Sequence, residues 1–364
     1  MHPSRRSATS RPSAIDPVLD QALGRFGHDL AIDLGTSNTL VCVRGRGLVV
    51  EEPSVVAVER DGDSMHVVAV GTEARRMVGR TPEHIQAVRP IRDGIIADFA
   101  LAEVLLRTAV EQALGQKPFV KPRIIVCVPV GTTDVERRAI QDSARKAGAR
   151  EIHLVGKPTA AALGAGLPIH EASANMVVDI GGGTTELGII SMGGEVVTAS
   201  IHAAGDHMDR AIVAAVQQHH NTLIGERTAE EIKFRIGHAL PAADSPPDPA
   251  AVRVKGRDLG TGIPRDVAVT RATITHALQP VLHDIVEGIR RALARTPPEL
   301  CADIYDRGFV VCGGGALLRG LVDFLRDATG LPVIQAEDPL RCAALGASRL
   351  LDDPETLQRV TANA

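Results

Sequence analysis

Residues 177–190 read VVDIGGGTTELGII. The apolar run Met176, Val177, Val178 has the pattern of a buried strand, Asp179 stands near its end, and three glycines and two threonines separate it from a second apolar run. Strand, glycine turn, strand makes a tight hairpin whose exposed backbone N–H groups can surround an anion. An aspartate at the end of the first strand suits a magnesium ion held through water beside bound phosphates. A glycine-rich turn is as often only a tight turn, so the reading needs a second signal.

That signal lies near the other end of the chain. DLAIDLGTSNTLVCVRG (29–45) repeats the order apolar strand, Asp33, then Gly35, Thr36, Ser37, Asn38 and Thr39 in a turn, then strand. Two such hairpins about 145 residues apart point to an internally duplicated α/β fold, each half giving one phosphate loop and one carboxylate to a shared cleft. RGFVVCGGGALLRG (307–320) reads as strand, glycine turn, helix, and the helix start after Gly313, Gly314 and Gly315 is a third place suited to a nucleotide.

Between these landmarks the pattern predicts helices over 95–114, 133–148, 158–166, from about 207, over 226–237, 270–294 and 340–351, and strands over 123–130 and 151–155. The implied division is a basic tail with a short amphipathic helix over 1–27, then a first domain over 28–172 with a small insertion at about 51–90. A second domain over 173–339 carries an insertion at about 206–264, and 340–364 is a C-terminal helix returning to the first domain, with a tail. Residues 1–15 are Ser-, Arg- and Pro-rich and read as disordered. Val18, Leu19, Ala22, Leu23 and Phe26 give the next helix an apolar face, for docking on its own domain or on lipid. PAADSPPDPA (241–250) reads as a mobile loop.

With 364 residues, 44% hydrophobic and 23% charged, the chain is long enough for two domains and a sizeable core. A net charge of −4 and 2% aromatic residues argue against nucleic-acid binding, which needs a basic surface or stacking rings. Cys42, Cys127, Cys301, Cys312 and Cys342 lack metal-ligand spacing, and those in apolar runs read as small core residues of a protein in a reducing cytoplasm. No apolar run approaches the ~20 residues of a membrane span, and no signal-peptide core is visible.

Two aspartate hairpins and a third glycine turn resemble the actin-like ATPase superfamily. The strings DLGTSNTL, GRGLVVEEPSVVAV, RPIRDGIIADF, CVPVGTTDVERRAI, AAALGAGLP, VVDIGGGTTE, IGERTAEEIK, TPPELCADI and CGGGALLRGL are similar to those of the bacterial actins of the MreB/Mbl family, from about His28 to Leu351. The resemblance implies four subdomains around a cleft for ATP and Mg2+. It further implies self-assembly into head-to-tail filaments on the inner face of the cytoplasmic membrane, working with the cell-wall elongation machinery and with a paralogue as a further partner. Asp33 and Asp179 would hold the hydrated magnesium. Gly181, Gly182, Gly183 and Thr184 would surround phosphate with the first hairpin, while Gly205, Asp206, Glu230, Lys233 and Gly313 to Ala316 would line ribose and adenine. Glu230 and Lys233 sit one helical turn apart, and a surface ion pair is the other reading of them.

The chain departs from the family pattern at one point. Relatives carry two glutamates before the proline of the alanine-rich helix, the second orienting the attacking water. Here LVGKPTAAALGAG places Gly156 and Lys157 there. A charged lysine cannot take a proton from water, so the expectation is a nucleotide-binding protein with weakened or absent hydrolysis, with Thr184 or Thr185 as the other water-positioning candidates. Arg235 stands where relatives usually carry Glu, and the two readings are altered ribose contacts or no effect. Phe119 and Val120, between Lys117 and Lys121, occupy a loop where some relatives insert a hydrophobic pair into the membrane; burial in the domain is the alternative. A chaperone ATPase or a sugar kinase on the same fold fits less well, and a non-polymerising regulator of a paralogous filament is the second reading.

Overall fold

The computed structural model describes residues 28–61, 64–115, 120–241 and 251–362. The N-terminal tail and helix, Phe119 and the Pro- and Asp-rich 242–250 stretch lie outside these residues.

In the first half, β1 (Leu30–Leu34), β2 (Asn38–Val43) and β3 (Gly47–Pro53) form an antiparallel meander. A separate three-stranded sheet follows from β4 (Val56–Asp61), β5 (Ser64–Val70), helix α1 (Thr72–Met77) and β6 (Ile85–Val88). The helix expected from residue 95 begins later. Ile95–Ile96 is instead β8, paired with β7 (Ile91–Arg92) around a turn in which Asp93 and Gly94 have positive φ. Asp98 then caps α2 (Phe99–Leu114) by accepting from the Leu101 N–H, which fixes where that helix starts. Next come β9 (Arg123–Val128), α3 (Asp134–Lys146) with a Thr133–Glu136 capping box, β10 (Glu151–Gly156) and α4 (Lys157–Gly164).

The second half repeats this plan. β11 (Asn175–Ile180), β12 (Thr185–Ser191) and β13 (Gly194–Ile201) form the meander. After α5 (Gly205–His220), a small sheet of β14 (Thr222–Leu223), β15 (Ala251–Asp258) and β16 (Pro264–Thr270) encloses α6 (Glu226–Ile236) in sequence. Helices α7 (Arg271–Ala294) and α8 (Pro298–Arg307) lead to β17 (Phe309–Cys312), α9 (Leu321–Thr329) and β18 (Val333–Gln335). The two large sheets have the same connectivity, β10-β9-β1-β2-β3 and β18-β17-β11-β12-β13, the outer two strands in each running parallel to the first.

The register makes the duplication exact at the residues that matter. Asp33 lies opposite Leu40 on one side and Cys127 on the other, while Asp179 lies opposite Glu186 and Cys312. β1, β9 and β11 are buried along their whole length, as central strands covered on both faces must be. Their outer faces pack on the larger helices of each half. Their inner faces meet α4, α10 (Cys342–Leu350) and α11 (Pro354–Ala362) in a third cluster built from both sheets. The last of these helices occupies a stretch read from sequence as tail. α4 and α10 cross closely enough that a Cβ on Gly346 would stand 1.7 Å from the Ala160 carbonyl oxygen and one on Gly164 1.8 Å from that of Cys342. This glycine contact seats α4, and therefore Lys157 at its first turn, at the seam between the halves.

Candidate functional site

Each hairpin turn is closed by its own backbone: Gly35 N–H donates to Asn38 O at 3.1 Å and Gly181 N–H to Thr184 O at 2.9 Å. The two turns face each other. Gly182 lies against Ser37, and Gly183 against Thr36 and the backbone of Asp93. α5 starts directly behind the second turn, with Gly205 N–H donating to Gly181 O at 3.1 Å and Asp206 N–H to Gly182 O at 2.8 Å. Gly313, with φ of 81°, passes so near Asp179 and Ile180 that only a glycine fits there. The helix expected immediately after it is a 3-10 turn over Gly314–Leu317; α9 begins later, behind Gly320.

Together these pieces enclose a cleft of about 510 Å3. Of the residues singled out from sequence, Asp33, Gly35, Thr36, Ser37, Asn38, Lys157, Asp179, Gly181, Gly182, Gly205, Asp206, Glu230, Lys233 and Gly313 to Gly315 line it. Others support it from behind. Thr39 is fully buried and shares a hydrogen bond with Ser54, whose hydroxyl donates to Gly35 O at 2.6 Å. Ala316 is buried, and Gly183 is covered by Asp93 and Thr36. Thr185 is turned away from the cleft: it is fully buried and donates to Ala203 O at 2.6 Å, so its hydroxyl is not available to position water. Thr184 packs against Gly94 and helps hold Glu186. Arg235 lies outside the cleft, on a shallow groove with Thr228 and Lys255. Val120 is half-buried.

Lys157 occupies the centre. Its Nζ stands 3.4 Å from Asp33 Oδ2 and 3.6 Å from Asp179 Oδ2, all three side chains being largely buried. Burial disfavours the lysine charge, but Asp179, Asp33 and Glu186 outweigh it and hold its pKa above the ordinary lysine value. Burial pulls the Asp179 carboxyl upward against the opposing pull of the ammonium; among three groups so placed the charged lysine is the dominant feature. Asp33 Oδ1 is buried without a hydrogen-bond partner. A hydrated magnesium ion does not fit this donor set. It would share the space between the carboxylates with an ammonium that already pairs with both, and at ~4 Å a divalent ion and a monovalent cation repel by on the order of 8 kcal/mol at an effective dielectric of ~20. Among the described residues no group of three or more acidic, His or Cys side chains could hold a metal ion.

Glu230 and Lys233 do not pair with each other. Arg75 of α1 reaches across the cleft to Glu230, and Lys233 bonds Asp209 Oδ1 at 2.9 Å and Gly205 O at 2.9 Å. Burial pushes the Asp209 carboxyl up to about 6, against the pull of Lys233. Two further ion pairs bridge the mouth, Arg89 to Asp206 at 2.9 Å and Arg210 to Asp93 at 3.4 Å. Sequence reading missed Arg75, Arg89 and Asp209, because their partners lie on other elements, 155 residues away for Arg75. It also passed over Glu186, although that residue sits within the deciding stretch. Glu186 is buried, accepting from Val130 N–H at 3.0 Å and Ser200 Oγ at 2.8 Å, and burial raises its pKa.

Residues 27–359 match the family described as MreB/Mbl protein. The chain is similar to the cell shape-determining protein MreB of Escherichia coli (strain K12), 49% identical over 339 residues that cover 92% of this chain and 96% of that protein. It is similar to the cell shape-determining protein Mbl of Bacillus subtilis (strain 168), 44% identical over 334 residues that cover 92% and 98% of the two chains. In structure it is similar to MreB5 of Spiroplasma citri bound to ADP, with a TM-score of 0.83, 34% identity, and coverage of 91% of this chain and 96% of that one. Its architecture is therefore the duplicated actin-like α/β fold. No helix among the described residues is long and apolar enough to cross a membrane.

Proposed function

The chain belongs to the MreB/Mbl family, and on that basis we propose that it is a nucleotide-binding, actin-like cell-shape protein. It assembles with itself into filaments on the inner face of the cell membrane, organises lateral wall synthesis, and hydrolyses ATP slowly or not at all. What supports nucleotide binding is the cleft between the two glycine turns, together with the ADP bound by a relative of the same fold. The turns 35–38 and 181–182 would surround the phosphates, whose charge backbone N–H groups and the Lys157 ammonium meet. Apolar side chains from α6 and the 314–317 turn, Phe234, Leu317 and Leu318, give the base a surface to lie on.

The observation that carries slow hydrolysis is the Lys157 ammonium seated between Asp33 and Asp179. Attack on the terminal phosphate needs a group that orients water and draws off its proton. Lys157 stays charged, both aspartates face it, Thr185 is bonded elsewhere, and Glu186 is held by Val130 and Ser200. The test is phosphate release with ATP by the purified chain beside a Lys157→Glu variant, with pelleting of the same samples. Wild type should pellet with little release, and the variant should gain release. Equal turnover by both sinks the role given to Lys157.

The ion pairs across the mouth favour one second reading. They tie the halves together through the protein's own charges, which suits a non-polymerising regulator of a paralogous filament. Failure to pellet alone, with co-pelleting alongside a paralogue, would select it.

A further inference from the structure

We propose that the Lys157 ammonium takes the place of the divalent cation in this cleft, so that a nucleotide di- or triphosphate binds without a metal ion. The inference rests on the nucleotide-binding reading above and concerns what neutralises the ligand there. Two carboxylates from equivalent positions of the duplicated fold, Asp33 and Asp179, end on one point of the seam. A polyphosphate brought up to them adds negative charge to negative charge, so the site needs a cation between protein and ligand. Lys157 supplies one covalently. It enters from the first turn of α4, whose seat is fixed by the glycine contacts with α10, and its ammonium reaches both carboxylates.

The distances suit this task. At 3.4 Å and 3.6 Å the ammonium is paired in charge with both aspartates without being locked to either. An ammonium has three N–H donors, and Lys157 is itself part of the cleft wall beside Gly35 and Gly181. At least one donor can therefore turn to a phosphate oxygen while the two carboxylates still hold the cation. Unlike a dissociable ion, this cation is present at all times and contributes one positive charge instead of two. Nucleotide affinity is thereby uncoupled from magnesium concentration.

The measurement is the affinity of AMPPNP for the purified chain by calorimetric titration, in excess magnesium and in excess EDTA, with Lys157→Glu and Lys157→Met alongside. Wild-type affinity should differ by less than about threefold between the two conditions, while each variant should lose at least about tenfold in EDTA, the range of an ordinary coupling between two ligands. A tenfold or greater loss for wild type in EDTA overturns the inference and leaves nucleotide binding intact. Variants that stay as metal-independent as wild type also overturn it, since Lys157 is then not the cause. No AMPPNP binding in either condition removes the nucleotide reading itself. If the variants do not fold, a tenfold or greater loss for wild type in EDTA still overturns the inference.

Discussion

The Lys157 ammonium lies 3.6 Å from the Asp179 carboxylate, joining the helix that ends the first half to the strand that opens the second. The same ammonium lies 3.4 Å from Asp33. One cation thus faces two nearly buried carboxylates that the duplicated topology brings to one place.

Lys157→Met should therefore destabilise the fold. It keeps an unbranched apolar stem but leaves two carboxylates facing each other with little water, and removing one partner of a buried ion pair costs about 3–5 kcal/mol. Adding Asp33→Asn to that variant should recover part of the loss, because it removes one of the uncompensated charges. Urea unfolding of the three proteins measures both steps. An unchanged midpoint for Lys157→Met excludes a structural contribution from this contact.

Asp209 gives a pH dependence of defined sign. Its carboxyl is raised from 3.8 to about 6 in the folded chain. Between those values the folded state binds more protons than the unfolded one, so stability falls as pH rises through the window and then levels off. A raised carboxylate is a penalty above its folded pKa, and a shift of this size corresponds to about 3 kcal/mol. Asp209→Asn should remove this slope between about pH 4 and about pH 6, read as the difference between the two stability profiles. Parallel profiles would show that Asp209 titrates in the folded chain as it does in the unfolded one.

Arg89→Ala should loosen the mouth of the cleft. Arg89 pairs with Asp206 at the start of α5 from the opposite half, and both side chains are partly shielded. Burial works against the Arg89 charge, but Asp206 outweighs it and raises the pKa. The loss in global stability should be small, about 1 kcal/mol. Amide exchange at Asp206 and His207 should quicken more than elsewhere, and added salt should produce the same local effect in wild type. Exchange that changes uniformly along the chain would argue against a local clasp.

The duplication was legible because both hairpins repeat one order of residues, and that order is local. Apolar strand, aspartate, glycine and small hydroxyls fit within one hairpin, so a reader of 29–45 and 177–190 has the whole unit in view. The helix start at Thr133 was legible for the same reason, the residues that cap it lying within three positions. The shorter helix at 99–114 was not, because the Asp93–Gly94 turn that joins β7 to β8 competes with an apolar pattern that reads equally well as helix.

The sequence by itself determined the family, the doubled architecture and the positions of Asp33, Asp179 and Lys157, since these follow from strings of adjacent residues. Only the tertiary structure decided that the lysine stands between the two aspartates, that Arg75 takes Glu230 while Asp209 takes Lys233, and that Thr185 faces the core. The physical reason is the reach of each interaction. A turn or a cap is set by neighbours along the chain, whereas an ion pair across a cleft depends on how two sheets are seated, and here that seating is set by the glycine crossing of α4 and α10.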